Sequence, residues 1–281
     1  MTGASRGAGR GIALVLGQAG ATVYVTGRST RAEGATGNRR ETIDETAELV
    51  AARGGRAIPV GCDHTVDSDV EALFDRVRRE QGRLDLLVNN AWGGYERAVD
   101  FSPFWQIPLV HWSLMFDAGV RSHLVAARCA VPLLLAQGRG LIVATTAAVG
   151  TQYRGNLFYD VAKTATNRMA VAMAEDLRPH GVAIVAFSPG WMRTEKVLDA
   201  FKTDAANWYA IAPLEKTEST EYVGRAVVTL AADPHVMQKT GRLLEVADLA
   251  RQYGFVDIDG RQVPPFASCS LSCSKNSGGI N

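Results

Sequence analysis

Short apolar runs rich in valine and isoleucine alternate along the chain with stretches of helical period. That alternation constrains the fold more than any other feature. The runs are "ATVYVTG" (21–27), "RAIPVGCD" (56–63), "LDLLVNNA" (84–91), "GLIVATTA" (140–147) and "VAIVAFSPG" (182–190). They read as strands buried on both faces. Helical patterns fill the intervals at about 9–19, 41–53, 68–81, 110–136, 159–178 and 219–232, and Ser68 with Glu71 reads as a capping box opening the third. Strict alternation implies parallel strands joined by right-handed crossovers, so the expected fold is α/β: an open, doubly wound parallel sheet between two helical layers, a three-layer sandwich.

The chain has 281 residues, 47% of them hydrophobic, enough for one sizeable core. One domain is expected over 1–258, in which "LLEVADLARQYGFVDIDGR" (243–261) supplies a last strand and a packed extension. A tail follows over 259–281; from 267 it is rich in Ser, Gly and Asn and is expected to be disordered. A net charge of +1 gives no bulk attraction to nucleic acid or to an acidic membrane surface, so neither is expected as a partner. The longest apolar stretch, "LVAARCAVPLLLAQ", contains Arg128 and Pro132 and is short for a bilayer span. Four scattered cysteines (62, 129, 269, 273) and the lack of a signal-peptide pattern point to a reducing, cytoplasmic setting. The histidines at 64, 111, 123, 180 and 235 show no ligand spacing, so no metal site is expected.

The chain opens on "MTGASRGAGRGIA", with glycines at 3, 7, 9 and 11 leading straight into a helical pattern. Such a turn suits a diphosphate. Glycines let the backbone approach the phosphates, and a helix N-terminus offers unpaired N–H groups and the positive end of its dipole. A loop of this kind normally follows a strand, yet no strand precedes it here.

Four segments together resemble the short-chain dehydrogenase/reductase family over roughly residues 1–250. "TGASRGAG" resembles its TGxxxGxG loop and "NNAWGG" (89–94) its NNAG segment, with Trp92 where glycine is usual. "YDVAK" (159–163) matches its YxxxK pair and "SPGWMRT" (188–194) its PGxxxT segment. The resemblance implies a Rossmann-type fold and a nicotinamide cofactor, held at Gly3, Ser5, Arg6, Gly7, Gly9, Asn90, Ala91, Lys163, Pro189, Gly190 and Thr194, with Asp63 at the adenine. It also sharpens the question of the first strand, which is expected to be missing from the N-terminus. Family members carry Val before the TG, so the expectation is that a valine GTG codon was read as the start. A Val/Ile-rich run in the codons upstream would then complete the sheet.

The end of the second strand of such a sheet decides which cofactor binds. A carboxylate there bonds the ribose hydroxyls, whereas arginine accepts a 2′-phosphate. Here Thr26, Gly27 and Arg28 stand at that place, and Arg6 lies inside the loop. NADP(H) is therefore expected over NAD(H).

Tyr159 and Lys163 are four residues apart and share a helix face. A tyrosine near pKa 10 is a poor acid–base at neutral pH, and a neighbouring ammonium with a cationic nicotinamide ring favours the phenolate. Thr146 stands where the family has its serine, thirteen residues before the tyrosine, and is expected to orient the substrate oxygen. Gly119 stands where the family usually has an asparagine that holds a proton-relaying water.

The expected function is carbonyl–alcohol interconversion by hydride transfer. Aromatic residues in the loops (Trp92, Tyr95, Tyr153, Phe158, Trp191, Trp208, Tyr209) imply a small, apolar substrate, with 191–218 as the lid and "DAANWYAIAP" within it as a covering helix. A homodimer or homotetramer built on helices 110–136 and 159–178 is expected from the resemblance. Two alternatives remain. One is a nucleotide-binding regulatory or scaffold protein of the same fold that has lost catalysis, suggested by Gly119, Thr146 and the absent strand. The other is an epimerase or dehydratase on a related extended fold, disfavoured by how little chain follows residue 258.

Overall fold

A computed structural model describes residues 1–37, 39–147 and 153–265. The chain runs through α1 (Gly7–Gln18), β1 (Thr22–Gly27), α2 (Ile43–Ala52), β2 (Arg56–Gly61), α3 (Asp67–Gln81) and β3 (Leu86–Asn89). Next come α4 (Val110–Phe116), a π-helical turn (Asp117–Arg121), α5 (Ser122–Gln137), β4 (Gly140–Thr145), α6 (Leu157–Leu177) and β5 (Val182–Ser188). The last elements are α7 (Glu195–Ala200), α8 (Thr220–Ala232), β6 (Leu243–Glu245) and α9 (Val246–Tyr253). All strand pairs are parallel, in a two-stranded sheet β1–β2 and a four-stranded sheet in the order β3–β4–β5–β6.

Alternation along the strands makes the layers. In β4, Leu141 and Val143 face a core built with α1, α8 and α9, while Ile142 faces the core of α3, α5 and α6. Each such fully buried aliphatic side chain contributes about 1.5–3 kcal/mol. The Rossmann-type three-layer α/β arrangement is therefore present.

Among the described residues no strand precedes α1. Its place between β1 and β3 is held at one end by the loop backbone. Met1 O accepts from Thr26 N (3.1 Å), Thr2 N donates to Val88 O (3.0 Å), and Ala4 N donates to Thr26 O (3.0 Å). Met1, Thr2 and Ala4 thus tie the two sheets together and leave the glycine loop at the switch point of the strand order.

Several expectations change in detail. The capping box at Ser68 does not form: α3 begins at Asp67 with Val66 at its cap, and the first turn is stabilised instead by Asp67 and Asp69 at the positive end of the helix dipole. The covering helix expected in 204–213 is replaced by short 3-10 turns at Trp208–Ala210 and Ala212–Lys216. Trp208 is clamped there, with the Arg193 guanidinium 3.7 Å from its ring centre. The stretch Val110–Gln137 is one continuous helical rod, 28 residues long, and apolar enough by length and composition to cross a membrane; half of that window is buried, as in a core helix. Of the tail, residues 259–265 are described and packed: Val263 is buried, and Arg261 donates to the Thr217 carbonyl (3.2 Å). Cys269 and Cys273 lie outside the described residues.

Candidate active site

The opening loop is held from below by the end of β3. Asn90 Nδ2 donates to Gly3 O (2.9 Å) and Thr2 O (3.2 Å), and the Asn90 and Ala91 amides both donate to Thr2 Oγ1 (2.8 and 3.0 Å). The loop is compressed so far that a Cβ on Gly9 would lie 2.1 Å from Gly3 O, and one on Gly3 2.8 Å from Ala91 Cα. Gly3 and Gly7 adopt positive φ of 62° and 55°. Ser5 is buried, and its carbonyl accepts from Arg10 Nε (3.0 Å).

The donor set at this loop fits an anion. The Gly7 amide, first in α1, donates to Glu195 Oε2 (2.8 Å). A carboxylate oxygen therefore stands where a phosphate oxygen belongs at a helix N-terminus. Arg6 carries a second sign of fit: its Nη1 is buried without a partner, and Nη2 donates to Thr36 Oγ1 (3.3 Å). Burial pushes the Arg6 pKa down, which adds to the drive for an incoming anion. These residues suit a nucleotide diphosphate. Glu195 had no local signal in the sequence, because it meets Gly7 only through the fold. Replacing Glu195 by Ala is expected to tighten NADPH binding roughly three- to tenfold, about the net worth of one hydrogen bond. Calorimetric titration checks this, and unchanged affinity counts against a competing carboxylate.

Arg28 is not free. It pairs with Glu96 and lies 3.8 Å from Asp63, whose Oδ1 accepts from Thr65 N (2.9 Å) and Oγ1 (2.7 Å). Pro189 and Gly190 are braced from beneath. Gly190 N donates to Glu218 Oε1 (3.0 Å), and Glu218 is a fully buried carboxyl whose pKa burial pushes up to about 8. Thr194 caps α7, accepting from Val197 N (3.3 Å).

The other half of the site is the start of α6. Asn156 caps the helix, accepting from Tyr159 N (2.8 Å) and donating to Asp100 O (2.6 Å), which fixes the first turn to the loop after β3. Tyr159 and Lys163 follow on one face. Their electrostatics depart from the expectation of a lowered phenol pKa. Burial, with Tyr95 beside it, holds the Tyr159 phenol well above its ordinary 10. A hydrogen bond links the two tyrosine hydroxyls. Lys163 is buried, and desolvation brings its pKa down to about 7. Its ammonium sits 3.6 Å from the centre of the Trp92 ring and 5.8 Å from that of Tyr159.

Thr146 is buried at the end of β4, and its hydroxyl donates to Lys163 O (3.2 Å). In the free protein this bond ties the strand to the catalytic helix; turning the hydroxyl toward a substrate takes a rotation of χ1 to another staggered well. Thr145, its neighbour, points the other way and donates to Asn89 O (3.3 Å). Gly119 lies in the π-helical turn, a type of bulge frequent at functional sites.

A tyrosine and a lysine one helical turn apart, beside a phosphate-type loop at the sheet's switch point, can hold and move a proton next to a bound dinucleotide. The sequence profile described as "Enoyl-(Acyl carrier protein) reductase" matches residues 3–246. The chain is 40% identical to mouse "Dehydrogenase/reductase SDR family member 1" over 98% of this chain and 87% of that protein. It is 38% identical to the human protein of the same description, over 99% and 88%. Among solved structures, a short chain dehydrogenase of Mycobacterium thermoresistibile superposes with a TM-score of 0.79 at 24% identity, covering 94% of this chain and 89% of that one.

Proposed function

The chain belongs to the short-chain dehydrogenase/reductase family of NAD(P)-dependent oxidoreductases, and from that premise we propose that it interconverts a small apolar ketone or aldehyde with its alcohol, using NADP(H). One observation carries this reading. Asn90 and Ala91 hold the glycine loop, the next residue packs on Lys163, and Lys163 stands one turn from Tyr159. Cofactor floor and proton donor are thus joined by consecutive residues.

When bound, the nicotinamide supplies or accepts the hydride. Gly3, Ser5, Gly7 and Gly9 would hold the diphosphate at the start of α1, Asp63, Asn90 and Ala91 would line the adenosine side, and Pro189, Gly190 and Thr194 the nicotinamide side. The Tyr159 hydroxyl gives its proton to the substrate oxygen in reduction and recovers it in oxidation. Lys163 bears positive charge beside the phenol and so favours its ionised form. Thr146 fixes the substrate oxygen once its hydroxyl turns from the Lys163 carbonyl. Exposed Phe101 and Tyr153, in the loops before α6, would offer an apolar substrate a rim. Phe101 packs against Gly155 just before the catalytic helix.

NADP(H) is favoured because no carboxylate occupies the last positions of β1, whereas Arg6 offers an unpaired buried donor. Arg28, now paired with Glu96, would add a second donor for the 2′-phosphate on releasing that carboxylate. NADPH oxidation with a panel of apolar ketones tests the whole reading. NADPH should outperform NADH in kcat/KM by about tenfold or more, and Arg6→Ala or Arg28→Ala should erase much of that ratio. Equal use of both cofactors refutes the preference, and NADPH binding without turnover on any carbonyl refutes the activity.

Exposed Leu124 and Leu135 on α5 with Val161 and Val171 on α6 support a homodimer or homotetramer across these helices.

A further inference from the structure

Two departures from the family pattern, Trp92 and Gly119, meet in space. A Cβ on Gly119 would lie 2.3 Å from Trp92 Cε3 and 2.4 Å from Cζ3. A Cβ on Gly94 would lie 2.6 Å from Cζ2 and 2.7 Å from Cε2 of the same ring. Gly93 between them passes so close to α4 that its Cβ would be 2.5 Å from Leu114 O. The indole therefore occupies volume that exists only because Gly94 and Gly119 lack side chains. Its Nε1 is buried with no acceptor among the described residues. The ring packs against the apolar cluster of Ile107, Met115, Phe158 and Ala162, and it also meets the Lys163 Nζ at 3.6 Å from its centre and the Tyr159 ring edge-on at 5.5 Å and 87°.

We propose that Trp92 is a positioning residue whose indole face seats the Lys163 ammonium beside Tyr159, with Gly94 and Gly119 as the vacancies that admit the ring. The proposal rests on the reading of Tyr159 and Lys163 as the proton-handling pair. A face-on contact of this length is a cation–π geometry, and it strengthens where water is excluded, as it is around buried Lys163. In family members an asparagine side chain comes from the position of Gly119. Here that space belongs to the indole, so the ammonium is held by a π face in place of a polar relay. Seating the charge also fixes its direction, since a lysine stem has several staggered states to choose among.

Among the described residues, Tyr159 lies on the same helix with its ring centre 5.8 Å from Lys163 Nζ, and His123 on α5 feels the Lys163 charge. His123 is buried, donates from Nε2 to Ala91 O (3.1 Å), and is pushed down to about 3, first by burial and then by the Lys163 charge. It is therefore neutral where Lys163 titrates. Burial lowers the lysine, and the indole face opposes that by favouring the charged form.

The test needs neither substrate nor cofactor, so it fails or succeeds independently of the proposed reaction. The protein is labelled with 13C-lysine, and the Lys163 Cε signal, assigned by its loss in Lys163→Met, is followed against pH. The wild-type midpoint is expected near 7. In Trp92→Leu it should fall by about one pH unit, and Trp92→Phe should recover at least half of that shift. Should Trp92→Leu not fold, global fluorotryptophan substitution keeps the ring's shape while withdrawing density from its face. The midpoint then falls stepwise with fluorine number in the wild type and stays fixed in Trp92→Phe. A midpoint insensitive to leucine or to fluorination, or one moving equally in Trp92→Phe, overturns the proposal.

Discussion

Tyr159→Phe is expected to lower kcat by about 10²–10⁴-fold, the usual worth of a positioned acid–base, while NADPH affinity stays within about twofold. Phenylalanine keeps the ring that packs edge-on against Trp92 and removes only the hydroxyl. Nothing the glycine loop or Arg6 does depends on that hydroxyl, so binding survives and chemistry does not. The structure also gives the pH dependence a sign. Burial and Tyr95 hold the free phenol well above its ordinary pKa, so the proton needed for carbonyl reduction is present throughout the neutral range. Loss of the phenol proton should therefore not limit reduction in the neutral range, whereas loss of the Lys163 charge near pH 7 should lower the rate as pH rises. Alcohol oxidation needs the phenolate and should rise with pH across the same interval. Single-turnover NADPH oxidation, together with fluorescence titration of bound NADPH, separates the two quantities. A Phe variant that retains more than about a tenth of the wild-type rate removes Tyr159 from the proton path.

Much of this architecture is legible from local pattern. Five Val/Ile runs and the helices between them set the parallel sheet, because period and β-branching are properties of neighbours in sequence. The glycine loop and the YxxxK spacing are equally local, and the structure brings both to one end of the sheet. What local pattern misses are pairings set by the fold. Glu195 reaches Gly7 across the chain, and Glu96 pairs with Arg28 although 68 residues separate them. Neither carboxylate stands in any motif. The capping box at Ser68 fails for a different reason: the helix gains a turn of acidic residues by starting at Asp67. Thr146 was legible as a position but not as a conformation, since its hydroxyl finds the Lys163 carbonyl only once strand and helix are packed. Trp92 and Gly119 were each visible as departures. Their mutual fit was not, because it depends on how a long loop returns the chain from β3 to the π-helical turn.

That fit leads to the second large effect. Gly119→Asn restores the residue the family usually carries, yet in this chain it should lower kcat/KM roughly a hundredfold. The new Cβ would sit 2.3 Å from the Trp92 ring, far inside contact distance, so the indole must tilt or leave. Lys163, seated on that face, then loses its direction, and displacements near 1 Å at a catalytic centre commonly cost that much. Overpacking of this kind also costs about 1–3 kcal/mol of stability. The reciprocal change decides whether the loss is specific. Trp92→Gly empties the space the asparagine needs, so the double variant Trp92→Gly/Gly119→Asn should be markedly more active than either single change alone predicts. Residues in contact typically couple by 0.5–3 kcal/mol in such a cycle. The cycle is read by kcat/KM for NADPH-dependent ketone reduction, with thermal melts to account for folding. If Gly119→Asn alone is neutral or faster, the indole is no substitute for a polar relay, and the glycine marks a weakened site. If the single change is damaging and the double change recovers, tryptophan and glycine together are this chain's own solution to holding the lysine.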